Sequence, residues 1–335
     1  MDTFEIRRFE SANARIYRVP IPLFPTFFGN IYFIIIDQYI ALIDTGSGIG
    51  DSAKHVLNSI DRIREQFGET FDWGDLSRII ITHGHIDHYG GLGTVRERSN
   101  APIAVHELDR RVLINHSERL ALTNQAVSAF LWHAGLNEEE HEHTMELYSW
   151  SKGLFRSVEV ETILRDGDLL DNIFRVHHVP GHCPGQICLQ FDDILMSADH
   201  VLARITPHMA PESIMPSTGL DHYLNSLHKV AKLPNIRLAL GGHEQEIENY
   251  YERIEAIEAS HKRKLDRILA ACSEPRTIKE LADTIYNKVD GYHTLLALEE
   301  IAAHIEYLDQ RGALAIDNLD QVAGGDKAAP RYRQS

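Results

Sequence analysis

An apolar β-branched run, Ile79-Ile80-Ile81, stops at Thr82-His83-Gly84-His85-Ile86-Asp87-His88, so three histidines and an aspartate crowd the end of a predicted strand. A short apolar run of this kind reads as a buried strand. Its end can hold polar ligands rigidly while the chain turns them outward. His83 and His85 are two apart and share a side while the chain stays extended. Asp87 and His88 come after the turn and can face a second metal. A neutral imidazole offers one ring nitrogen to a metal, and a carboxylate adds charge compensation. The plain alternative is four solvated polar residues after a strand.

A chain of 335 residues can bury a sizeable core, and one large domain with a smaller one is expected. The formal net charge of -16 repels phosphate backbones on average, which argues against general affinity for nucleic acid or anionic membranes. Cys183, Cys188 and Cys272 form no disulfide framework and no paired zinc ribbon. The first residues lack an apolar signal core, and no run reaches the roughly 20 apolar residues that span a bilayer. A cytoplasmic protein in a reducing compartment is the expectation.

His83-Gly84-His85-Ile86-Asp87-His88 resembles the HxHxDH signature of the metallo-beta-lactamase fold superfamily, and further pieces of that pattern follow in order. Pro180-Gly181-His182 resembles the loop of the third histidine. Ser197-Ala198-Asp199-His200 resembles the strand end with the bridging aspartate. Leu240-Gly241-Gly242-His243 resembles the last histidine, and Leu42-Ile43-Asp44-Thr45-Gly46 the upstream DTG turn. Two departures stand out: Cys183 follows the third histidine where many members carry Thr or Ser, and Ala198 stands where many carry Gly. The resemblance implies an α/β fold, a four-layer αβ/βα sandwich. It implies His83, His85 and His182 at one metal, Asp87, His88 and His243 at the other, and Asp199 between them. Asp44 would fix a ligand histidine through the ring's second nitrogen.

Along the chain, 1–245 reads as the catalytic domain. Pro20 to Asn30 is expected to be an irregular aromatic loop, with Phe28 near the pocket. Ile31 to Ile36 and Tyr39 to Ile43 read as a hairpin, and Asp51 to Phe67 as a helix. Residues 107–155 read as a helical insert, a kind of element that commonly caps the site in this superfamily. Its Trp132, His133, Tyr148, Trp150 and Phe155 are candidates for an apolar substrate pocket or for helix packing. His208, in the Pro-rich loop after Asp199, is a further pocket candidate. Residues 246–318 resemble the winged-helix-like module of the beta-lactamase-like protein 2 group, with Thr277 and Glu280 as a capping box. The helix Ala297 to Leu308 contains Glu299, Glu300 and Glu306 and no basic residue, which argues against DNA reading. Packing onto the sandwich or a homodimer is expected instead. Lys262-Arg263-Lys264 is the best support for nucleic-acid docking. Residues 319–335 are expected to be disordered.

The implied chemistry is metal-assisted hydrolysis: two divalent ions, Zn2+ by ligand type with Mn2+ or Fe as alternatives, lower the pKa of a bridging water. Asp87 is the candidate for handling a proton. Three classes compete: hydrolysis of a small ester, thioester or lactone; endoribonuclease action, as in the beta-lactamase-like protein 2 group; and a non-catalytic binding role. Acidity and the aromatic insert favour the first, so a small-molecule substrate is expected and RNA is disfavoured. The full ligand set counts against the third.

Overall fold

The computed structural model describes residues 5–24, 26–152, 155–324 and 328–335. Seven strands form one sheet in chain order: β1 (Arg7–Ser11), β2 (Ala14–Phe24), β3 (Phe27–Ile36), β4 (Tyr39–Ile43), β5 (Arg78–Ile80), β6 (Ile103–His106) and β7 (Thr162–Leu164). The first four run as an antiparallel meander, and β4 to β7 are parallel. The second sheet contains β8 (Leu169–Leu170), β9 (Phe174–His178), β10 (Ile187–Phe191), β11 (Ile194–Ala198) and β12 (Leu238–Gly241), in the spatial order β12-β11-β10-β9-β8. Only β11 and β12 pair in parallel within it.

Period-two alternation makes this a sandwich. Ile16, Tyr32, Ile34, Ala41 and Ile43 face the second sheet and pack with its Phe174, Val176, Leu189 and Met196. Their sequence neighbours Tyr17, Phe33 and Leu42 face outward, onto Ile60 and Ile63 of the helix Ser59–Phe67. The helix Leu220–Val230 covers the far face of the second sheet through Tyr223, Leu227 and Val230. Each fully buried aliphatic or aromatic side chain contributes roughly 1.5–3 kcal/mol, so the two-sheet core is the main source of stability. The result is the expected α/β four-layer sandwich.

In its described residues, the expected loop over Pro20 to Asn30 is instead a continued hairpin, with Pro20 paired to Asn30 and Pro22 to Phe28, while residue 25 lies outside those described. β1 pairs only as far as Arg18, so the later part of β2 has one open edge. Pro20 and Pro22 are two apart, so both point their missing N–H to that edge, where no ladder bond is lost. The expected helix Asp51 to Phe67 is two helices, Asp51–Leu57 and Ser59–Phe67, broken at Asn58.

The helices Arg110–Ile114, His116–Ala134 and Glu138–Lys152 lie between β6 and β7. Val127, Phe130 and Leu131 pack with Ile268, Leu281 and Leu298 of the C-terminal helices Tyr250–Ala271, Ile278–Tyr286 and Tyr292–Asp309. Thr277 and Glu280 form the expected capping box. The tail is not disordered as expected: β13 (Leu314–Ile316) pairs with β14 (Tyr332–Gln334), and the Gln334 amide donates to the Cys272 carbonyl at 2.9 Å. Burial of Tyr332 holds this strand. Residues 153–154 of the expected insert and 325–327 of the expected tail lie outside the described residues. Among the described residues, no helix is long and apolar enough to cross a membrane.

Candidate metal centre

The chain ends of β4, β5, β11 and β12 meet at one rim of the sandwich, and polar residues follow each of them. β4 runs into Asp44, β5 into His83 to His88, β11 into Asp199 and β12 into His243; the loop after β9 brings His182. Parallel pairing puts Ile43 beside Ile80 and Ala198 beside Gly241, so these exits are side by side. Ala198 has φ 46, a left-handed conformation in which a glycine carries less strain, and the β11–β12 register shifts there. This is one of the two positions where the sequence departs from the common pattern.

Three donor groups form, each with ligand atoms within 4.8 Å of one another: His83, His85 and His182; His83, His88 and Asp199; Asp87, His88 and His243. All seven expected ligand side chains therefore converge. Gly242 lines them so closely that a Cβ there would sit 2.2 Å from Asp199 Oδ1 and 2.7 Å from His88 Cε1.

The ring orientations follow from what each Nδ1 meets. His182 Nδ1 donates to the His208 carbonyl at 2.5 Å, and His243 Nδ1 to the Phe28 carbonyl at 2.8 Å. A carbonyl only accepts, so both rings carry a proton on Nδ1 and turn Nε2 toward the centre. Asp44 binds His88 Nδ1 at 2.8 Å and also accepts from the Thr82 amide and hydroxyl at 2.8 Å each. Because the Thr82 hydroxyl donates to Asp44, it is free to accept from His83 Nδ1, 3.1 Å away.

The inward atoms are buried and unsatisfied. Among the described residues, Nε2 of His83, His88 and His182 and Oδ1 of Asp199 have no hydrogen-bond partner. Buried polar atoms normally find one, and leaving them bare costs free energy. Imidazole nitrogens and carboxylate oxygens aimed at a common centre fit divalent cations. The electrostatics agree. Burial holds the His83 and His182 imidazoles below their ordinary range. Burial opposes charge on His88 and His243 too, yet Asp199 and the neighbouring carboxylates push His88 well up and His243 to about 10. Asp87 and Asp199 are held down against burial by these histidines, so both are carboxylates at neutral pH. The field that retains protons here also attracts cations.

Asp109 is an organising residue that the sequence reading passed over. It accepts from the Gly84 amide at 2.7 Å and the Gly185 amide at 2.9 Å, and the Cys183 thiol donates to it at 3.3 Å. It thus ties the His83–His85 turn to the His182 loop, with Cys183 taking part. Burial pushes its pKa up to about 6. Nothing local marks it; it follows β6 in what reads as a helix surface.

Beside the centre lies a cavity of about 270 Å3, bounded by His85, Tyr89, His116, Arg119, Tyr148 and Pro184 among others. Tyr148 is therefore where a pocket residue is expected, though it also packs in the helical core. Trp132 is not: it is 41% exposed and stacks on His141, since its side of the helix faces away from the cavity. Phe28 offers its carbonyl to His243, and the ring beside His243 belongs to Phe27, with centroids 4.6 Å apart. His208 likewise gives its carbonyl to His182 and turns its ring to Glu299, so it is no wall of this cavity. His133 meets the Tyr332 hydroxyl, Phe155 packs on Tyr89 and His116, and the Trp150 side chain lies outside those described. A further cluster, His261, Glu300 and His304, has donor spacing, but Lys264 Nζ already neutralises Glu300 at 2.5 Å.

The two-sheet sandwich and its histidine-rich rim are those of the metallo-beta-lactamase fold. The chain belongs to the metallo-beta-lactamase superfamily, whose family model matches residues 25–243. It is 28% identical over 180 residues to "Probable metallo-hydrolase YflN" of Bacillus subtilis, which covers 52% of this chain and 61% of that protein. It is 30% identical over 181 residues to the acyl-coenzyme A thioesterase MBLAC2 of Homo sapiens, covering 51% and 58%. The chain thus spans about three fifths of the length of these curated relatives. The solved structure of the metallo-beta-lactamase family protein TTHA1429 from Thermus thermophilus superimposes with a TM-score of 0.76 at 25% identity, over 96% of this chain and 98% of that one. Members of the superfamily typically bind divalent metals, and the converging donors here fit such ions.

Proposed function

We propose that the protein is a dinuclear metal-dependent hydrolase of small carboxylic esters, with thioesters the first class to test. The observation that carries this reading is the convergence of seven donors whose imidazoles are turned inward by fixed Nδ1 partners. His83, His85 and His182 would hold one ion, Asp87, His88 and His243 the other, and Asp199 would bridge. Zn2+ is the ion favoured by the nitrogen-rich donor set. When bound, such ions supply a nucleophilic hydroxide at neutral pH and Lewis acidity toward a carbonyl oxygen. The chain's own part is to orient the donors through Asp44, Thr82 and the two carbonyls. It also shields the carbonyl carbon in the cavity beside His85. In this reading Asp87, whose carboxylate lies 3.4 Å from His243 Nε2, would take and return a proton during turnover.

The thioester preference rests on the likeness to MBLAC2 and on a cavity sized for a small organic group. The endoribonuclease alternative has less support. Glu299 and Glu300 are buried against the sandwich, and Lys264, in the basic run that would best dock nucleic acid, is paired with Glu300. These contacts favour a C-terminal module, winged-helix-like in our reading, that braces the catalytic domain.

The test is a panel of acyl-coenzyme A thioesters, lactones, phosphodiesters and single-stranded RNA against protein carrying near two metal equivalents. Thioester turnover that vanishes with metal in Asp199→Ala supports the reading. Full activity of that variant, or turnover of RNA alone, overturns it.

A further inference from the structure

The cavity beside His85 has a charged wall that metal chemistry does not require. On the helix His116–Ala134, the residues His116, Arg119, Leu120 and Thr123 all line it. Their spacing of three, four and seven puts them on one helical stripe, so the cavity faces a single side of this helix. The stripe mixes a guanidinium, an imidazole and a hydroxyl with the apolar Leu120.

Arg119 is half-buried and, among the described residues, makes no ion pair. By comparison, Arg15, Arg18, Arg78 and Arg237 are each matched to a carboxylate, and Arg175, Arg253, Arg267 and Arg276 donate to backbone carbonyls. Arg119 also contrasts with Arg111 in the same wall, which is exposed and held by Glu118 at 2.6 Å. With 49 acidic and 33 basic residues, carboxylates are in excess, so a guanidinium left without one is not a shortage of partners. Among the described residues, the only carboxylate lining the cavity is Asp109, and it is committed to the Gly84 and Gly185 amides. His116 is engaged with the Tyr89 hydroxyl at 3.1 Å. Among the described residues, the cavity therefore has a positive wall in which the Arg119 guanidinium has no carboxylate partner. Partial desolvation of such a cation is unfavourable until an anion supplies the hydrogen bonds.

We propose that Arg119 recognises an anionic group of the substrate, and that the substrate is an ester or thioester with a carboxylate or phosphate on the portion lying along this helix. The proposal rests on the hydrolase reading and narrows it to a substrate class. The reacting carbonyl sits at the His85 end, the anion at Arg119, and Leu120 with Tyr148 covers the apolar stretch between. Arg119 touches substrate away from the reacting bond, so its effect is on binding and selectivity.

The experiment compares metal-loaded wild type with Arg119→Gln and Arg119→Lys. The substrates are three butyryl thioesters: of coenzyme A, of glutathione and of N-acetylcysteamine. The first carries phosphates, the second carboxylates, the third no charge. Removing a charge-assisted hydrogen bond should lower kcat/KM for the cognate anionic thioester about 10- to 100-fold, mostly through KM. The neutral thioester should change less than about threefold, and Arg119→Lys should restore part of the loss. Metal content and Tm should stay at wild-type values. Calorimetric titration with the uncleavable S-butyl thioethers of coenzyme A and glutathione gives a second readout, which does not depend on turnover. Which thioether loses affinity in Arg119→Gln identifies phosphate or carboxylate as the anion. Equal losses for charged and neutral thioesters, no loss at all, or no thioether binding by wild type would overturn the role of Arg119. Absence of turnover with all three thioesters, together with Arg119-dependent thioether binding, would instead overturn the proposed reaction and leave the anion site standing.

Discussion

His182 Nδ1 and the carbonyl oxygen of His208 are 2.5 Å apart, and this contact ties the candidate metal centre to a loop held by the C-terminal helices. The loop that carries His208 is held by Tyr292–Asp309: the Met209 amide donates to Glu300 Oε2 at 2.7 Å, and His208 Nε2 lies 3.1 Å from Glu299 Oε2. Lys264 completes the arrangement on Glu300.

Metal affinity should therefore respond to residues on a helix that holds no ligand. Glu299→Gln is expected to weaken metal about tenfold in chelator competition, the low end for groups that orient a ligand. Glu300→Ala should also destabilise the fold by about 2 kcal/mol, because it strands the half-buried Lys264. Unchanged metal affinity in both variants would show that the His208 loop holds its place without the helix.

Gly242 offers a sharper probe of the centre. A methyl group there would overlap Asp199 Oδ1 and crowd His88. Gly242→Ala should lose at least one metal equivalent and most activity, with far-ultraviolet circular dichroism unchanged. Two retained equivalents at wild-type affinity would mean that Asp199 and His88 can move apart without consequence.

Tyr148 and Trp132, paired as pocket candidates in the sequence, should separate by kinetics. Tyr148 is buried at the cavity, whereas Trp132 is exposed on His141. Tyr148→Ala should raise KM several-fold and cost roughly 3 kcal/mol of stability. Trp132→Ala should leave kcat/KM within about twofold and stability within about 0.5–1 kcal/mol. The reverse order in steady-state assays would place the substrate on the other face of the insert.

The histidine pair His261 and His304 predicts an acid-sensitive interface. Their rings stack at 5.3 Å, with His261 Nδ1 3.2 Å from His304 Nε2. Burial pulls His261 down to about 3 and His304 to about 4; Glu300 opposes this, while Lys264 adds to it. Their folded pKa values lie below the ordinary histidine value, so the unfolded chain takes up protons first. The stability they contribute is complete above pH 6.5 and is lost as the pH falls toward 4. Chemical denaturation should show a loss on the order of 2 kcal/mol across that window, and His304→Leu should flatten it. A stability profile in which wild type and variant run parallel would discount the pair.

The convergence of the seven donors was legible because each sits in a short motif at or just after a strand end, where neighbours in sequence remain neighbours in space. Asp44 could be read for the same reason. Asp109, Glu299 and Glu300 were not, since each acts on a residue from 25 to more than 90 positions away and looks like an ordinary helix-surface acid. The hairpin through Pro20 and Pro22 was misread because the rule against proline in strands relaxes only where a neighbouring strand ends early. That ending depends on β1. The tail looked disordered by composition, yet the buried Tyr332 anchors it. Arg119 reads in sequence as one more surface cation; only the shape of the cavity singles it out.

The helical insert leaves the sheet at His106 and returns at Thr162, on two strands that pair directly, with His106 opposite Leu164. Parallel neighbours lie only about 4.8 Å apart, so almost any stretch of chain can bridge that gap without disturbing a metal ligand. The apolar underside of the insert, though, is the surface that clothes Ile268, Leu281 and Leu298. An exchange of substrate walls between relatives of this chain would strip those side chains bare unless the C-terminal helices were transplanted with the insert. The two segments are far apart in the gene, but they behave as one heritable part.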